Sequence, residues 1–298
     1  MWQTTRFQID LTQPKIMGIV NLTPDSFSDG GRLTDASQAL AHCEQLIKDG
    51  ADILDLGAES SRPGAPPVSL DDELARLMPV LFEAVKLGVP VSVDTYKPQV
   101  MQAALDAGAD IINDIWGFRS ANAGLKSAQV VMDHGRCGLV VMHMHRDPQT
   151  MQLDPLPESE DVVQRVKTDL LSFCERLAQT SCGQSADLAS KKQSSLDLKQ
   201  RLLIDPGIGF GKTVAQNFAL LARQRELLEL GFPLLAGWSR KSSLGAVTGI
   251  AEAQDRMIPS VAAALLALER GASVLRVHDV RETAQMMKVW QAAQPSRP

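Results

Sequence analysis

The chain has 298 residues, is 44% hydrophobic and carries a net charge of -5 with no block of basic residues. A nucleic-acid-binding surface needs clustered Lys and Arg to neutralise phosphates, so that class is set aside and small molecules are the expected partners. A single α/β barrel uses about 250 residues, so one catalytic domain over 1–298 is the economical expectation.

The first ten residues, MWQTTRFQID, alternate charge and polarity instead of forming an apolar leader, and no run approaches membrane-spanning length. The expected protein is unprocessed and makes no membrane contact. Cys43, Cys137, Cys174 and Cys182 lack CxxC spacing in a chain large enough to fold without staples. Free thiols in a reducing cytoplasm are therefore expected, not a disulfide framework or a zinc site.

Along the chain, the segment before Ile16 is too short for a βα unit and is expected to form a hairpin or strap across the barrel bottom. From there a unit repeats: an amphipathic stretch, a Gly, two residues, then an apolar run ending in a polar side chain. Gly50, Gly88, Gly108, Gly231 and Gly271 stand where a helix would need a left-handed residue after its last turn. The runs are read as strands over 16–21, 53–57, 91–94, 111–114, 139–144, 202–205, 234–237 and 274–277. Fully apolar strands joined by short αβ connections imply a parallel sheet covered on both faces. Eight such units favour a TIM (β/α)8 barrel over a doubly wound sheet. Helix signals fill the gaps: Ser69 with Asp72 as a cap, Pro98 at a first helical position, and helical periodicity over 161–177. Residues 179–200 are rich in Ser, Gln and Lys without sustained periodicity and are read as a long polar insertion.

In a parallel barrel, residues at the strand C-termini surround one mouth. That rule gathers Asn21, Ser61, Arg62, Asp94, Asn113, His143, Asp205, Lys241, Arg276 and His278. No His/Cys metal cluster and no Ser-His-Asp spacing is among them. Asp94, Asn113 and Asp205 could accept paired hydrogen bonds from the amino and ring N–H groups of a flat heterocycle, although a strand-end Asp can also serve only as a helix cap. Arg62, Lys241, Arg276 and His278 form a cationic side suited to a pyrophosphate. Asn21 offers an oxygen to Mg2+, an ion that keeps most of its waters. The run GIGFGK (207–212) matches neither a P-loop nor a dinucleotide fingerprint; its glycines would let backbone approach a flat ligand, with Phe210 stacking on an aromatic ring.

Together the strings MGIVNLTPDSFSDGG, ESSRPGAPPV, DPGIGFGK, SRKS and RVHDV, in this order, resemble the dihydropteroate synthase family. The resemblance runs from about Ile16 to Trp290. It implies a TIM barrel, usually a homodimer, that condenses 6-hydroxymethyl-7,8-dihydropterin diphosphate with p-aminobenzoate, with Mg2+, releasing diphosphate. It assigns Asp94, Asn113, Asp205 and Lys241 to the pterin, Met142 and Ile115 to the slot walls, and Arg276 to the pterin face. Arg62, Arg276, His278 and Asn21 with Mg2+ would hold the diphosphate. Phe27, Ser61, Pro63, Phe210 and Ser242 would surround p-aminobenzoate. The chain departs from the family pattern at Arg146, where Gly is usual and a turn of positive φ would have to be rebuilt, and at Ser61, where Thr is usual. Two other readings stand beside an active synthase: a catalytically silent pterin-binding paralogue and a folate-dependent methyltransferase domain.

Overall fold

Apolar runs bounded by glycine turns bury both faces, and in the computed structural model they pair into one parallel sheet. It describes residues 1–23, 32–60, 62, 64–122, 124–146, 151, 153–181 and 197–294. The strands are β1 (Lys15–Asn21), β2 (Ile53–Gly57), β3 (Val91–Asp94), β4 (Ile111–Asp114), β5 (Gly138–Met142), β6 (Leu202–Asp205), β7 (Leu235–Ala236) and β8 (Val274–Val277). Their order is β6-β5-β4-β3-β2-β1-β8-β7, with every neighbouring pair parallel. A parallel bridge from Ile204 to Leu234 joins the two ends, and the Ile204 N–H donates to the Pro233 carbonyl at 3.0 Å. The expected (β/α)8 barrel is what forms.

The strand boundaries follow the apolar runs closely, with two shifts. The fifth strand ends at Met142, two residues earlier than expected, and the loop after β6 passes so close there that a Cβ on Gly207, at φ +67°, would lie 1.8 Å from the His143 carbonyl oxygen. The seventh is shorter because the barrel closes there through a single bridge.

The pleat divides each strand between two cores. Met17, Ile53, Ile111, Val140, Leu203, Leu235 and Val274 point inward and fill the barrel floor, where Trp2 and Ile9 join them. Alternate residues such as Val20, Leu54, Leu56, Val93 and Ile112 point outward against the helices. The expected strap is a short antiparallel hairpin, Trp2–Gln3 with Gln8–Ile9. Its Trp2 is fully buried and donates Nε1–H to the Arg201 carbonyl at 2.7 Å, while Arg6 pairs with the buried Asp110 at 2.6 Å.

The outer layer consists of α1 (Arg32–Asp49), α2 (Leu70–Ala84), α3 (Pro98–Asp106), α4 (Ser127–His134), α5 (Val162–Ser181), α6 (Val214–Ala222), α7 (Ser242–Thr248), α8 (Met257–Glu269) and α9 (Val280–Ala293). Ser69 caps α2 by accepting from the Asp72 N–H at 3.1 Å, and Pro98 opens α3, as their sequence positions indicated. Two elements had no clear sequence signal: the small hairpin Ala121–Asn122 with Leu125–Lys126, and a 3-10 turn over Gln224–Leu230. The polar stretch 179–200 is helical at both of its described ends, since α5 runs to Ser181 and residues 197–200 are helical with Leu198 buried. Its middle lies outside the described residues. Cys43, Cys137 and Cys174 are buried free thiols, and Cys182 lies outside the described residues. No helix among the described residues is long and apolar enough to cross a membrane.

Trp2 seals the barrel floor although it is the second residue of the chain. Trp2→Ala should lower stability by about 3 to 5 kcal/mol, the scale for emptying a buried aromatic site, as read from the midpoint of chemical denaturation.

Candidate active site

The same alternation that builds the floor places polar side chains above it. On β2, β3, β4, β6 and β8, the inward polar side chains nearest the C-terminal ends are Asp55, Asp94, Asn113, Asp205 and Arg276. Asp94 lies in register with Asn113, and Asn21 with Gly57, so the residues meet at one rim.

At its centre the Arg276 guanidinium donates from Nε to Asp55 Oδ2 and from Nη2 to Asp94 Oδ2, each at 2.6 Å. Asn113 Nδ2 donates to the same Asp55 oxygen at 3.2 Å. Burial pushes the Asp94 carboxyl up to about 7 against the opposing pull of Arg276, with the neighbouring Asp55 charge adding to the rise. Burial also acts against the Arg276 charge, but Asp55 and Asp94 outweigh it and hold the guanidinium protonated. Asp205 accepts from the Gly207 N–H at 2.7 Å, and burial raises its pKa as well. Lys241 lies with Nζ 4.3 Å above the Phe210 ring; burial, then Arg276, pull it down to about 8 against Asp205 and Asp94. The result is a set of acids and cations whose charges are only partly compensated, the usual signature of a site awaiting a ligand.

An apolar wall adjoins these charges. Ile115, Met142, Met144, Met151 and Phe210 form a buried cluster, with Tyr96 and Trp116 packed against it and their rings stacked at 5.4 Å. A flat ring can slide between such a wall and Arg276 while the acids read its edge.

On the cationic side, His278 has Nδ1 3.0 Å from Ser239 Oγ, and its backbone N–H donates to that oxygen at 3.1 Å. Burial, followed by the charges of Arg240, Arg276, Lys241 and Arg62, drives its pKa down to about 3, so it is a neutral imidazole at pH 7. Arg62 is exposed on the second loop, Glu59 to Val68 between β2 and α2, and its charge is felt at His278. Ser242 is the exposed first residue of α7, directly after Lys241. Arg240 has φ +60°, a left-handed backbone costing roughly 1 kcal/mol, and Asp279 at 2.6 Å and Ser260 at 2.8 Å hold it there. That kink sets the direction of Lys241.

Several sequence expectations change here. His143 does not face the mouth: strand parity turns it outward, between Met142 and Met144, where it contacts Asp169 of α5 at 3.1 Å. Its imidazole is driven to about 3 by burial and the nearby Lys212. Arg146 does not rebuild its turn; it adopts φ +63° itself and pairs with Asp154. Asp55 was missed because it sits inside the run ILDLG instead of at its end, although counting two back from the inward Gly57 would have found it. Lys212, fully buried, was also passed over; its Nζ donates to the carbonyls of Gly207 at 2.8 Å and Phe210 at 3.0 Å and so shapes the loop under Asp205. Phe27, Ser61 and Pro63 lie outside the described residues.

Residues 17–278 match the model of a family described as pterin binding enzyme. A dihydropteroate synthase of Neisseria meningitidis serogroup B is 46% identical over 98% of this chain and 97% of its own length. The chain belongs to the dihydropteroate synthase family. Among solved structures of that family, the Xanthomonas albilineans enzyme with 4-aminobenzoic acid is 44% identical with a TM-score of 0.83, covering 96% of both chains. The Burkholderia cenocepacia dihydropteroate synthase complexed with 7,8-dihydropteroate is 44% identical with a TM-score of 0.81, covering 98% of this chain and 95% of that one. The family is one of transferases, which accords with a mouth built for positioning and electrostatics and not for a protein nucleophile.

The depressed Lys241 sets a stability test. Its ammonium costs stability wherever the folded group is forced to carry charge, below about pH 8, and the cost fades as pH rises toward the ordinary value of 10.5. Lys241→Met should therefore raise the unfolding free energy of the free protein at pH 7 by about 1 to 3 kcal/mol. The gain should vanish near pH 10.5, and thermal melts across that range check it.

Proposed function

We propose that this chain condenses 6-hydroxymethyl-7,8-dihydropterin diphosphate with p-aminobenzoate, giving 7,8-dihydropteroate and diphosphate, and thereby serves folate biosynthesis. The observation that carries this is the Asp55–Arg276–Asp94 cluster on the rim that also bears the Met142/Phe210 wall: acids and a cation beside an apolar surface, the groups a pterin ring calls for. The family relatives, crystallised with an aminobenzoate and with the product, support the same assignment.

In this reading Asp94, Asn113, Asp205 and Lys241 hold the pterin edge, Ile115 and Met142 line its slot, and Arg276 covers its face. Arg62, Arg276 and His278 grip the diphosphate, His278 as a neutral hydrogen-bonding ring. Phe210 and Ser242, with Phe27, Ser61 and Pro63 from the two loops, surround p-aminobenzoate. Among the described residues no group of three or more His, Cys, Asp or Glu could cage a metal. That suits Mg2+ held by a single protein oxygen, Asn21, with the remaining positions left to substrate and water. When bound, the ion would stabilise charge on the departing diphosphate.

The C–O bond to the methylene breaks with its electron pair leaving on diphosphate, and the pterin spreads the positive charge. Ionised Asp94 and Asp205 favour that cation. The arylamine, neutral at pH 7, then forms the C–N bond from its lone pair and loses a proton, so positioning replaces a dedicated base. The Asn21 to Gly31 and Glu59 to Val68 loops would keep water from capturing the cation. The reading as a silent paralogue rested on Arg146 and on the 179–200 insertion; Arg146 keeps the left-handed turn a glycine would make, and the middle of the insertion lies outside the described residues. We further propose one catalytic domain over 1–298, a homodimer, and residence in the cytoplasm.

Diphosphate release with p-aminobenzoate as co-substrate tests the reaction; pterin binding without turnover would reject it, and chelation of Mg2+ should suppress the rate. Asp94→Asn should weaken pterin binding by about 1 to 3 kcal/mol by calorimetry, the scale for an unpaired buried group. Arg62→Ala should reduce turnover far more than it reduces binding of a pterin without diphosphate. Equal losses would make Arg62 structural.

A further inference from the structure

The second loop is rooted in a buried ionic cluster that the reaction itself does not use. Glu59, the residue from which the loop departs, accepts from the N–H of Val68 at the far end at 3.2 Å, so one carboxylate ties both ends of the loop together. The same Glu59 oxygen accepts from the Tyr96 hydroxyl at 3.0 Å, and its other oxygen accepts from Lys97 Nζ. Lys97 also donates to Glu73 Oε2 at 2.5 Å, and Glu73 Oε1 accepts from Thr95 Oγ1 at 2.7 Å. Glu73 lies in the first turn of α2 and is 1% exposed; the Lys97 and Glu59 side chains are each 12% exposed. Tyr96, in turn, stacks on Trp116 of the slot wall.

We infer that Lys97 and Glu73 are positioning residues: through Glu59 they fix the root of the 59–68 loop, and so set where Arg62 stands relative to the pterin slot. Arg62 stands only three positions after Glu59 in the chain, so a displaced root displaces it as well. The Ala65 N–H donates to the Arg62 carbonyl at 3.1 Å, which ties Arg62 to the part of the loop that leads on to Val68. A buried ion cluster is an inefficient way to add stability, because desolvation offsets its attraction and apolar residues of equal volume serve as well. What charge supplies here is direction: the ammonium can satisfy Glu59 only when the loop root is in one place, and Glu73, braced by Thr95, fixes the ammonium. The Tyr96 hydroxyl on Glu59 and the Tyr96 ring on Trp116 link that root to the slot wall, so the subsite for the pterin and the loop bearing Arg62 share one reference point.

The functional half of this inference rests on the role proposed for Arg62; the positional half does not. In the free protein, Lys97→Met should speed amide hydrogen exchange at Ala65 and Val68 by about tenfold or more, the equilibrium change for about 1.4 kcal/mol of lost local stability. Exchange of the β3 and β4 amides should stay as it is. In the diphosphate-release assay the same variant should lose about tenfold or more in kcat/KM for p-aminobenzoate, while calorimetric affinity for a pterin lacking diphosphate is retained, and Lys97→Arg should recover most of both. If Lys97→Met fails to fold, the double variant Lys97→Met with Glu73→Gln, which removes the Glu73 charge together with its ammonium partner and leaves Glu59 accepting from Tyr96 and Val68, carries the same test. Unchanged exchange at Ala65 and Val68 in a folded variant overturns the inference. So does a loss of pterin affinity equal to the loss of turnover. Should the unaltered chain release no diphosphate, the proposed reaction fails while the exchange measurement still decides whether Lys97 roots the loop.

Discussion

Arg276 pairs with two carboxylates inside a closed barrel, and most of the site follows from keeping that guanidinium charged where water is scarce. A lone Arg there would be prohibitive to desolvate, and so would a lone Asp55, which is fully buried. Asp55 and Asp94 arrive from adjacent strands, each contacting a different nitrogen of the same fork. Arg serves here where Lys would not, because a planar fork engages two partners at once and keeps its proton in spite of burial. Asn113 completes the arrangement by donating to Asp55 without adding charge. Asp94 and Asp205 are lifted by burial and Lys241 is depressed, so the empty site holds protonation equilibria that a ligand bearing N–H donors and an anion would resolve.

Holding such groups at a rim requires a floor that does not yield. The inward residues below Arg276 are apolar apart from the buried Ser92, and the N-terminal hairpin plugs that end with Trp2. Around the mouth the backbone accepts strain instead. Arg240, Arg146 and Phe118 all adopt positive φ, and Gly207 passes so close to the fifth strand that no side chain could fit. These departures lie on strand-end loops, where local cost is tolerated because the barrel fixes both ends of each loop. The buried Lys212 performs a related task, replacing with its ammonium the hydrogen bonds that the Gly207 and Phe210 carbonyls would otherwise lack.

Eight apolar runs, five of them introduced by a glycine turn, were enough to derive the barrel, because burial on both faces makes a parallel strand a continuous hydrophobic string. The same runs located Asp94, Asn113, Asp205 and Arg276, which lie at the end of a run or one residue before it, where a side chain can first leave the core. They could not separate His143 from Met142. Adjacent residues on a strand point to opposite faces, and a register displaced by one exchanges pocket for helix layer. Asp55 was hidden for the complementary reason: an inward acid within a run looks like an interruption until its partner, 221 residues away in the chain, is seen beside it.

The amino-acid sequence alone therefore determined the architecture, the end of the barrel that carries chemistry, and the kinds of group found there, because these depend on local periodicity and on which residues tolerate burial. Tertiary structure alone decided which charges compensate one another, which histidine faces the mouth, and how Lys97 and Glu73 meet the root of the second loop. Those are properties of distances between segments remote in the chain, and neither composition nor spacing encodes a distance until the barrel has closed.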